Sequence, residues 1–149
     1  MTSKLLVVTV NYACAEAILE GMDQTVAQLR AFDGGARFWI VDNQSPDSSA
    51  IMLREAIAAR GWGDVVDVID AKCNSGFGAG NNLAVRRAMA EDSPPDYIYF
   101  LNPDAIPAPG SILAMTSFLD ATPAAGVVGG LLEGEDGELQ VRCSGFHHF

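Results

Sequence analysis

Two aspartates stand where an apolar run turns polar. Tyr97-Ile98-Tyr99-Phe100-Leu101 leads into Asn102-Pro103-Asp104, and Phe38-Trp39-Ile40-Val41 leads into Asp42-Asn43. Short runs rich in β-branched and aromatic residues are the pattern of a buried strand. Pro103 has no N–H to give a sheet ladder, so the later strand must stop before it. Both carboxylates then sit just past a strand's carboxyl end, the edge where open α/β sheets bind ligands. An aspartate at that edge can accept hydrogen bonds from ribose hydroxyls or a base N–H. It can also hold Mg2+ or Mn2+, which take one or two protein carboxylates and complete their shell with water and phosphate oxygens. The alternatives are structural: a helix cap for Asp42, a type I turn opener for Asn-Pro-Asp. Asp47 and Ser48 can cap the next helix, which leaves Asp42 free for a ligand, whereas for Asp104 the two readings weigh equally. The expectation is one rim shared by both carboxylates, with neither buried against the core.

Asn74-Ser75-Gly76-Phe77-Gly78-Ala79-Gly80-Asn81-Asn82 is the third polar stretch. A dinucleotide fingerprint would need a glycine where Asn81 stands and would follow the first strand, not the third. A Walker lysine is missing too. What remains is a side-chain-poor backbone leading into a helix N-terminus, able to approach an anionic or sugar ligand closely. Cys14, Cys73 and Cys143 are odd in number and lack metal-ligand spacing, which fits reduced thiols in a cytoplasmic protein. His147 and His148 adjoin each other near the chain end and read as a solvated tail.

The elements that must position these residues follow from the apolar pattern. Leu5-Leu6-Val7-Val8-Thr9-Val10 is a near-continuous run of the kind found in buried parallel strands. Ala15, Ile18, Leu19, Met22, Val26 and Leu29 recur at helical spacing and predict one helix, stopped at Asp33-Gly34-Gly35. A second helix is expected up to Arg60, with Gly61 ending it, and Val65 to Ile69 as the third strand. A helix through Ala84, Val85, Ala88 and Met89 and another through Ile112, Met115 and Leu119 follow. Further strands are expected at Gly126–Leu132 and, after the Asp136-Gly137 turn, at Glu138–Val141. Strands alternating with helices, joined by right-handed crossovers, predict a three-layer α/β fold with a mainly parallel sheet.

With 149 residues, 49% hydrophobic and 19% charged, the chain has the makings of one ordinary domain. Its formal charge of −10 argues against nucleic acid, which needs a basic face. A diphosphate must then be held through backbone N–H groups or a divalent cation. Met1-Thr2-Ser3-Lys4 shows no signal peptide, and no apolar run approaches the roughly 20 residues of a membrane span.

The order of the polar motifs is more specific than any one of them. Val8-Thr9-Val10-Asn11-Tyr12, Val41-Asp42-Asn43-Gln44-Ser45-Pro46-Asp47, the Asn74–Asn82 stretch and Phe100-Leu101-Asn102-Pro103-Asp104 closely resemble the N-terminal half of family 2 glycosyltransferases. The match is best to the rhamnosyltransferase-like members. The resemblance implies a GT-A fold and metal-assisted, inverting transfer of a rhamnose-like sugar or other hexose. The donor would be a dTDP-, UDP- or GDP-linked sugar, the cofactor Mg2+ or Mn2+, and the acceptor a glycan or a lipid-linked glycan in polysaccharide biosynthesis. Thr9, Asn11 and Tyr12 would border the nucleotide, Asp42 and Asn43 its base or ribose, and Gly76, Gly80 and Asn81 the nucleotide and donor sugar. Asp104 matches the last residue of the Asp-X-Asp metal motif, and Asn102 replaces its first aspartate, removing one negative charge.

The family's catalytic base lies in the second half, beyond the region matched here, and Glu133, Glu135 and Asp136 match no such base. Residues 1–149 are therefore expected to be the donor-binding part, with the base beyond Phe149 and the acceptor half absent. A nucleotide-sugar-binding module without turnover is the alternative. A doubly wound oxidoreductase fails on its fingerprint, and a receiver-like regulator lacks the companion acidic residues and lysine. A cytoplasmic location at the inner membrane face, peripheral membrane association of the full protein and a homo-oligomer all fit the resemblance.

Overall fold

The computed structural model describes residues 4–134, 137 and 138. In chain order the elements are β1 (Leu5–Asn11), α1 (Ala15–Glu20), α2 (Met22–Arg30), β2 (Ala36–Asp42), α3 (Ser49–Arg60), β3 (Val66–Asp70), α4 (Phe77–Met89), β4 (Tyr97–Phe100) and α5 (Ser111–Ala121). The strands form one sheet in the order β3-β2-β1-β4, every pair parallel. The α/β architecture expected from the sequence is the one observed. The chain divides into two units, residues 1–112 and 113–149.

Parallel strands need both faces covered, and the alternation along β1 shows how that is met. Leu5 and Val7 join Phe38, Ile40, Val66 and Val68 in a core closed by Ile18, Met22, Val26 and Leu29 from α1 and α2, and by Leu53 and Ile57 from α3. Leu6, Val8 and Val10 join Trp39, Val41 and Ile69 on the other face under Ala84 and Ala88 of α4. Small residues on α4 let that helix lie close to the sheet. In the first unit Ile112 closes the core at the start of α5. In the second unit α5 continues to Ala121, Gly134 N–H donates to Glu138 O (2.9 Å), and Gly137 has φ 75°.

Four expectations change. The helix predicted from Ala15 to Leu29 is two helices broken at Gly21, and Thr25 Oγ1 donates back to the Gly21 carbonyl at 2.8 Å. The glycine stretch is mostly helix, because α4 begins at Phe77. A Cβ on Gly80 would meet Val10 Cγ1 and Cγ2 at 3.0 Å, so glycine serves there to bring helix against strand. The strand ending in Phe100 is half-exposed rather than buried, since β4 is the edge of the described sheet. Gly126–Leu132 forms no strand, and Val127 and Leu131 are exposed. Of the predicted Glu138–Val141 strand, all but Glu138 lies outside the described residues, as do Glu135, Asp136, Cys143, His147 and His148. Among the described residues no helix is long and apolar enough to cross a membrane.

Candidate functional site

Parallel pairing puts the carboxyl ends of all four strands on one edge. Asn11, the last residue of β1, pairs in register with Asp42, the last of β2. Their side chains meet there. Asn11 Nδ2 donates to Asp42 Oδ1 (2.7 Å) and to Ser45 Oγ (3.1 Å). Ser45 Oγ donates to the same Asp42 Oδ1 (2.7 Å), and Ser45 N–H reaches Asp42 Oδ2 (3.2 Å). Ala13 N–H donates to Ser45 Oγ (3.1 Å), and Cys14 N–H to Asn11 Oδ1 (3.2 Å). Ala13 and Gln44, either side of this knot, have φ of 54° and 59°. Left-handed backbone at non-glycine residues persists only where surrounding structure fixes it, and it clusters at functional sites.

That knot corrects one expectation. Asp42 is buried (6% exposed) and its carboxylate is already engaged by three donor groups, so it is not free of structural duty. Ser48 is the N-cap of α3 and makes no side-chain capping bond, while Asp47 Oδ1, one residue earlier, accepts from Ser49 N–H at 3.0 Å. The Ser49 hydroxyl and then its amide hold the Asp47 carboxyl below the usual carboxylate range. Thr9 and Asn11 are likewise buried, with Thr9 on the face of Leu5 and Val7, whereas Tyr12 is half-exposed. Ser45 and Asn74 join the site unforeseen, although Ser45 stands three residues after an aspartate, the spacing of a local side-chain-to-backbone bond.

Beside β2, Asn43 Nδ2 donates to Asn74 Oδ1 (2.8 Å), which also accepts from Gly76 N–H (3.0 Å). This ties the start of the glycine stretch to the end of β2. Gly76 precedes α4 with φ 88° and ψ 171°, a conformation that only glycine adopts readily. The helix has no side-chain cap, so its first amides, with the positive end of the helix dipole, remain available to an anion. Two buried amide oxygens have no partner here: Asn43 Oδ1 and Asn81 Oδ1. Asn81 is held in place by its own Nδ2, which donates to Phe77 O at 3.1 Å. Buried polar atoms are nearly always paired, so these two acceptors, without a protein partner, can take N–H or O–H donors from a ligand or from water.

β4 stops opposite Val8, where Leu101 N–H donates to Val8 O (2.9 Å), and Thr9, Val10 and Asn11 run on past it. Asn102-Pro103-Asp104 then forms a tight turn closed by Ala105 N–H to Asn102 O (3.1 Å). Asn102 and Asp104 are exposed on the β4 side of β1, with Asp42 on the β2 side. Behind the turn a cavity of about 10 Å3 is lined by Thr9, Thr25, Asn102 and Pro103 among others, and the buried Thr9 Oγ1 has no partner.

Among the described residues no three His, Cys, Asp or Glu side chains gather as a metal cage. Asp104 and Asn102 offer one carboxylate and one amide oxygen on an open turn. Such hard donors fit a Mg2+ or Mn2+ ion that completes its shell with phosphate oxygens and water.

Comparison with known proteins bears on what this rim serves. Residues 6–143 match the family described as glycosyl transferase family 2. No curated protein sequence matches the chain. The mannosyltransferase PcManGT from Pyrobaculum calidifontis, solved in complex with GDP-Man and Mn2+, is similar with a TM-score of 0.64 at 18% identity, over 90% of this chain and 36% of that one. S. aureus TarS 1-349 gives a TM-score of 0.58 at 16% identity, over 79% and 32%. Its complex with UDP-GlcNAc gives 0.59 at 18%, over 79% and 31%. The chain thus spans about a third of the length of these solved structures.

Proposed function

Because the chain belongs to glycosyl transferase family 2, we propose that its rim holds the nucleotide diphosphate sugar donor of a glycosyl transfer. The observation that carries this is the pair of orphaned buried acceptors, Asn43 Oδ1 and Asn81 Oδ1, flanking the uncapped N-terminus of α4. A nucleotide sugar supplies what each lacks: hydroxyls and a base N–H for the amide oxygens, a diphosphate for the helix amides. Asn102 and Asp104, across the end of β1, would hold a Mg2+ or Mn2+ ion that acts as a Lewis acid on the departing diphosphate. UDP-GlcNAc and GDP-Man on the solved relatives, and Mn2+ on one, support that class of donor and cofactor. A rhamnose-like donor sugar and a glycan or lipid-linked acceptor belong to the same proposal.

Each residue then has a duty. Asp42 fixes Asn11 and Ser45 and so shapes the floor beside the base and ribose. Gly76 brings the backbone close to the phosphates, and Gly80 lets α4 sit on β1. Tyr12, half-exposed past β1, borders the nucleotide. Proton removal from the acceptor hydroxyl requires a further carboxylate, and we assign none to this rim, so the chain by itself binds donor without transferring sugar.

Thermal denaturation with UDP, GDP or dTDP, each with and without Mn2+, tests the reading. One of the three with Mn2+ should raise the melting temperature clearly more than either component alone. No shift at millimolar ligand would remove the donor-site proposal. Transfer of sugar from a labelled donor by this chain alone would overturn the claim that the base lies elsewhere.

A further inference from the structure

We propose that Gln24 and Gln28 are positioning residues for Asp104. Their stacked amides grip one backbone carbonyl and hold the Asn-Pro-Asp turn in register from behind. The inference rests on the reading of Asp104 as the cation's carboxylate and adds to it the element that keeps that carboxylate in place.

Residues four apart on a helix stand one above the other on the same face. Gln24 and Gln28 of α2 do so, and both Nε2 atoms donate to the Pro107 carbonyl, at 2.6 and 3.0 Å. One carbonyl oxygen has two lone pairs, and here both are used. Gln28 Oε1 in turn accepts from Ile112 N–H at 3.5 Å, beyond the far end of the same loop. Through these bonds α2 grips the loop at residues 107 and 112.

Ala105 packs against the core and Pro107 is buried, so the loop also has apolar footing. Its backbone bonds are local: Ala105 N–H to Asn102 O and Ser111 N–H to Ala108 O. Pro103, Pro107 and Pro109 have no N–H to offer. Near Asn102 the loop does not fit α2 tightly, because the cavity shared by Thr9, Thr25, Asn102 and Pro103 lies between them. A void forfeits the contacts that would otherwise define a position. Ile106 touches down at the break between α1 and α2. A Cβ on Gly21 would meet Ile106 Cγ1 at 3.0 Å, so glycine there admits the Ile106 side chain. The helix break, the Ile106 contact and the glutamine pair all serve one loop. Asp104 sits three residues before Pro107, on the solvent side of that anchor.

The variant Gln24→Met/Gln28→Met tests this, since methionine keeps length and helix preference and removes the two amide donors together with the Gln28 acceptor. Free Mn2+ is measured by electron paramagnetic resonance in the presence of UDP or GDP, whichever binds the native chain, and nucleotide affinity is measured again without metal. Expected is a loss of about tenfold in Mn2+ affinity, the low end of what removing an outer support costs, with metal-free nucleotide affinity unchanged. A folded double variant with native Mn2+ affinity overturns the proposal. So does an equal loss in both affinities, which would mean general loosening. If the double variant fails to fold, the single variants are read by the same criteria. Asp104→Ala separates the two ideas: it should abolish Mn2+ binding, and native Mn2+ affinity in that variant would refute the metal site itself.

Discussion

Asp42 and Asp104 carry the same functional group on the same sheet edge, and their surroundings give them different work. Asp42 is buried and accepts from Asn11 Nδ2, Ser45 Oγ and Ser45 N–H. Asp104 is exposed on an open turn. Replacing a buried acceptor by a group that must donate leaves its partners unpaired, which costs about 1–3 kcal/mol. Asp42→Asn turns one carboxylate oxygen into an amide NH2, which can only donate, facing Ser45 N–H or the Asn11 amide. We expect it to lower the melting temperature of the ligand-free chain by several degrees. Asp104→Asn should leave that temperature nearly unchanged, as surface substitutions shift stability by no more than about 0.5 kcal/mol, while removing the Mn2+-dependent part of nucleotide stabilisation. A pair of melting curves for each variant, with and without Mn2+ and nucleotide, checks both. Equal destabilisation by the two variants would show that burial does not separate them.

At the scale of elements, α4 shows most directly how a sequence can point to a site and misplace it. Gly78, Gly80 and Asn81 mark the rim, but they lie in the helix rather than ahead of it. Local propensity disfavours glycine in a helix, and at Gly80 the approach of Val10 explains it, whereas at Gly78 nothing lies near. Gly21 hid the break between α1 and α2 for a similar reason, since its partner is Ile106, a contact that one-dimensional periodicity cannot hold. The burial of Asp42 was equally illegible, because it depends on the β1–β2 register that sets Asn11 beside it. The α/β class and the parallel sheet were legible, since alternation of apolar strands with helices leaves few topologies open, whereas the order β3-β2-β1-β4 came from the structure. Gly80→Ala weighs two terms: alanine favours the helix by about 1 kcal/mol, and an extra methyl against a packed side chain costs about 1–3 kcal/mol. Val10 is β-branched and therefore stiff, so we expect net destabilisation. In a Val10→Ala background the same change should stabilise, and a double-mutant cycle by denaturant unfolding measures the coupling.

The far end of α4 makes a second prediction at this scale. Arg37, at the start of β2, grips Glu91 through both guanidinium nitrogens at 3.0 and 2.6 Å and stacks 4.8 Å from the Trp39 ring. The hydrogen bonds from Arg37 hold the Glu91 carboxyl below its ordinary range, with the charges of Arg37, Arg87 and Lys4 adding to the effect. A depressed carboxylate contributes stability above its unfolded pKa, about 4.3, and loses it as pH falls through the folded value. Half-exposed pairs contribute at most about 1 kcal/mol. The stability gap between the native chain and Glu91→Gln should therefore be small and constant from neutral pH down to about pH 5 and close as acid protonates Glu91. Urea unfolding at a series of pH values reads it directly, and a gap that persists in acid would exclude the ion pair as its source.

For the molecule as a whole, the formal charge of −10 sets the terms on which a diphosphate can arrive. A basic nucleotide binder draws its ligand in, and salt weakens that attraction within a Debye length of about 8 Å at physiological ionic strength. On the proposed reading, protein and ligand repel at long range, and attraction would come from the α4 amides, the Asn43 and Asn81 amide oxygens and a cation at Asn102 and Asp104. Salt should therefore act in opposite senses on two measurable quantities. Without metal, nucleotide affinity should hold steady or rise as sodium chloride is raised, because screening relieves repulsion while the short hydrogen bonds at Asn43 and Asn81 are little affected. With Mn2+, affinity should fall, because salt screens the attraction between the cation and the anionic turn and phosphates. Calorimetric titration of UDP or GDP at low and high salt, with and without Mn2+, distinguishes these slopes. A metal-free affinity that drops steeply with salt would mean that basic side chains, not backbone amides, hold the diphosphate, and the rim between β2, β1 and β4 would then be the wrong place for it.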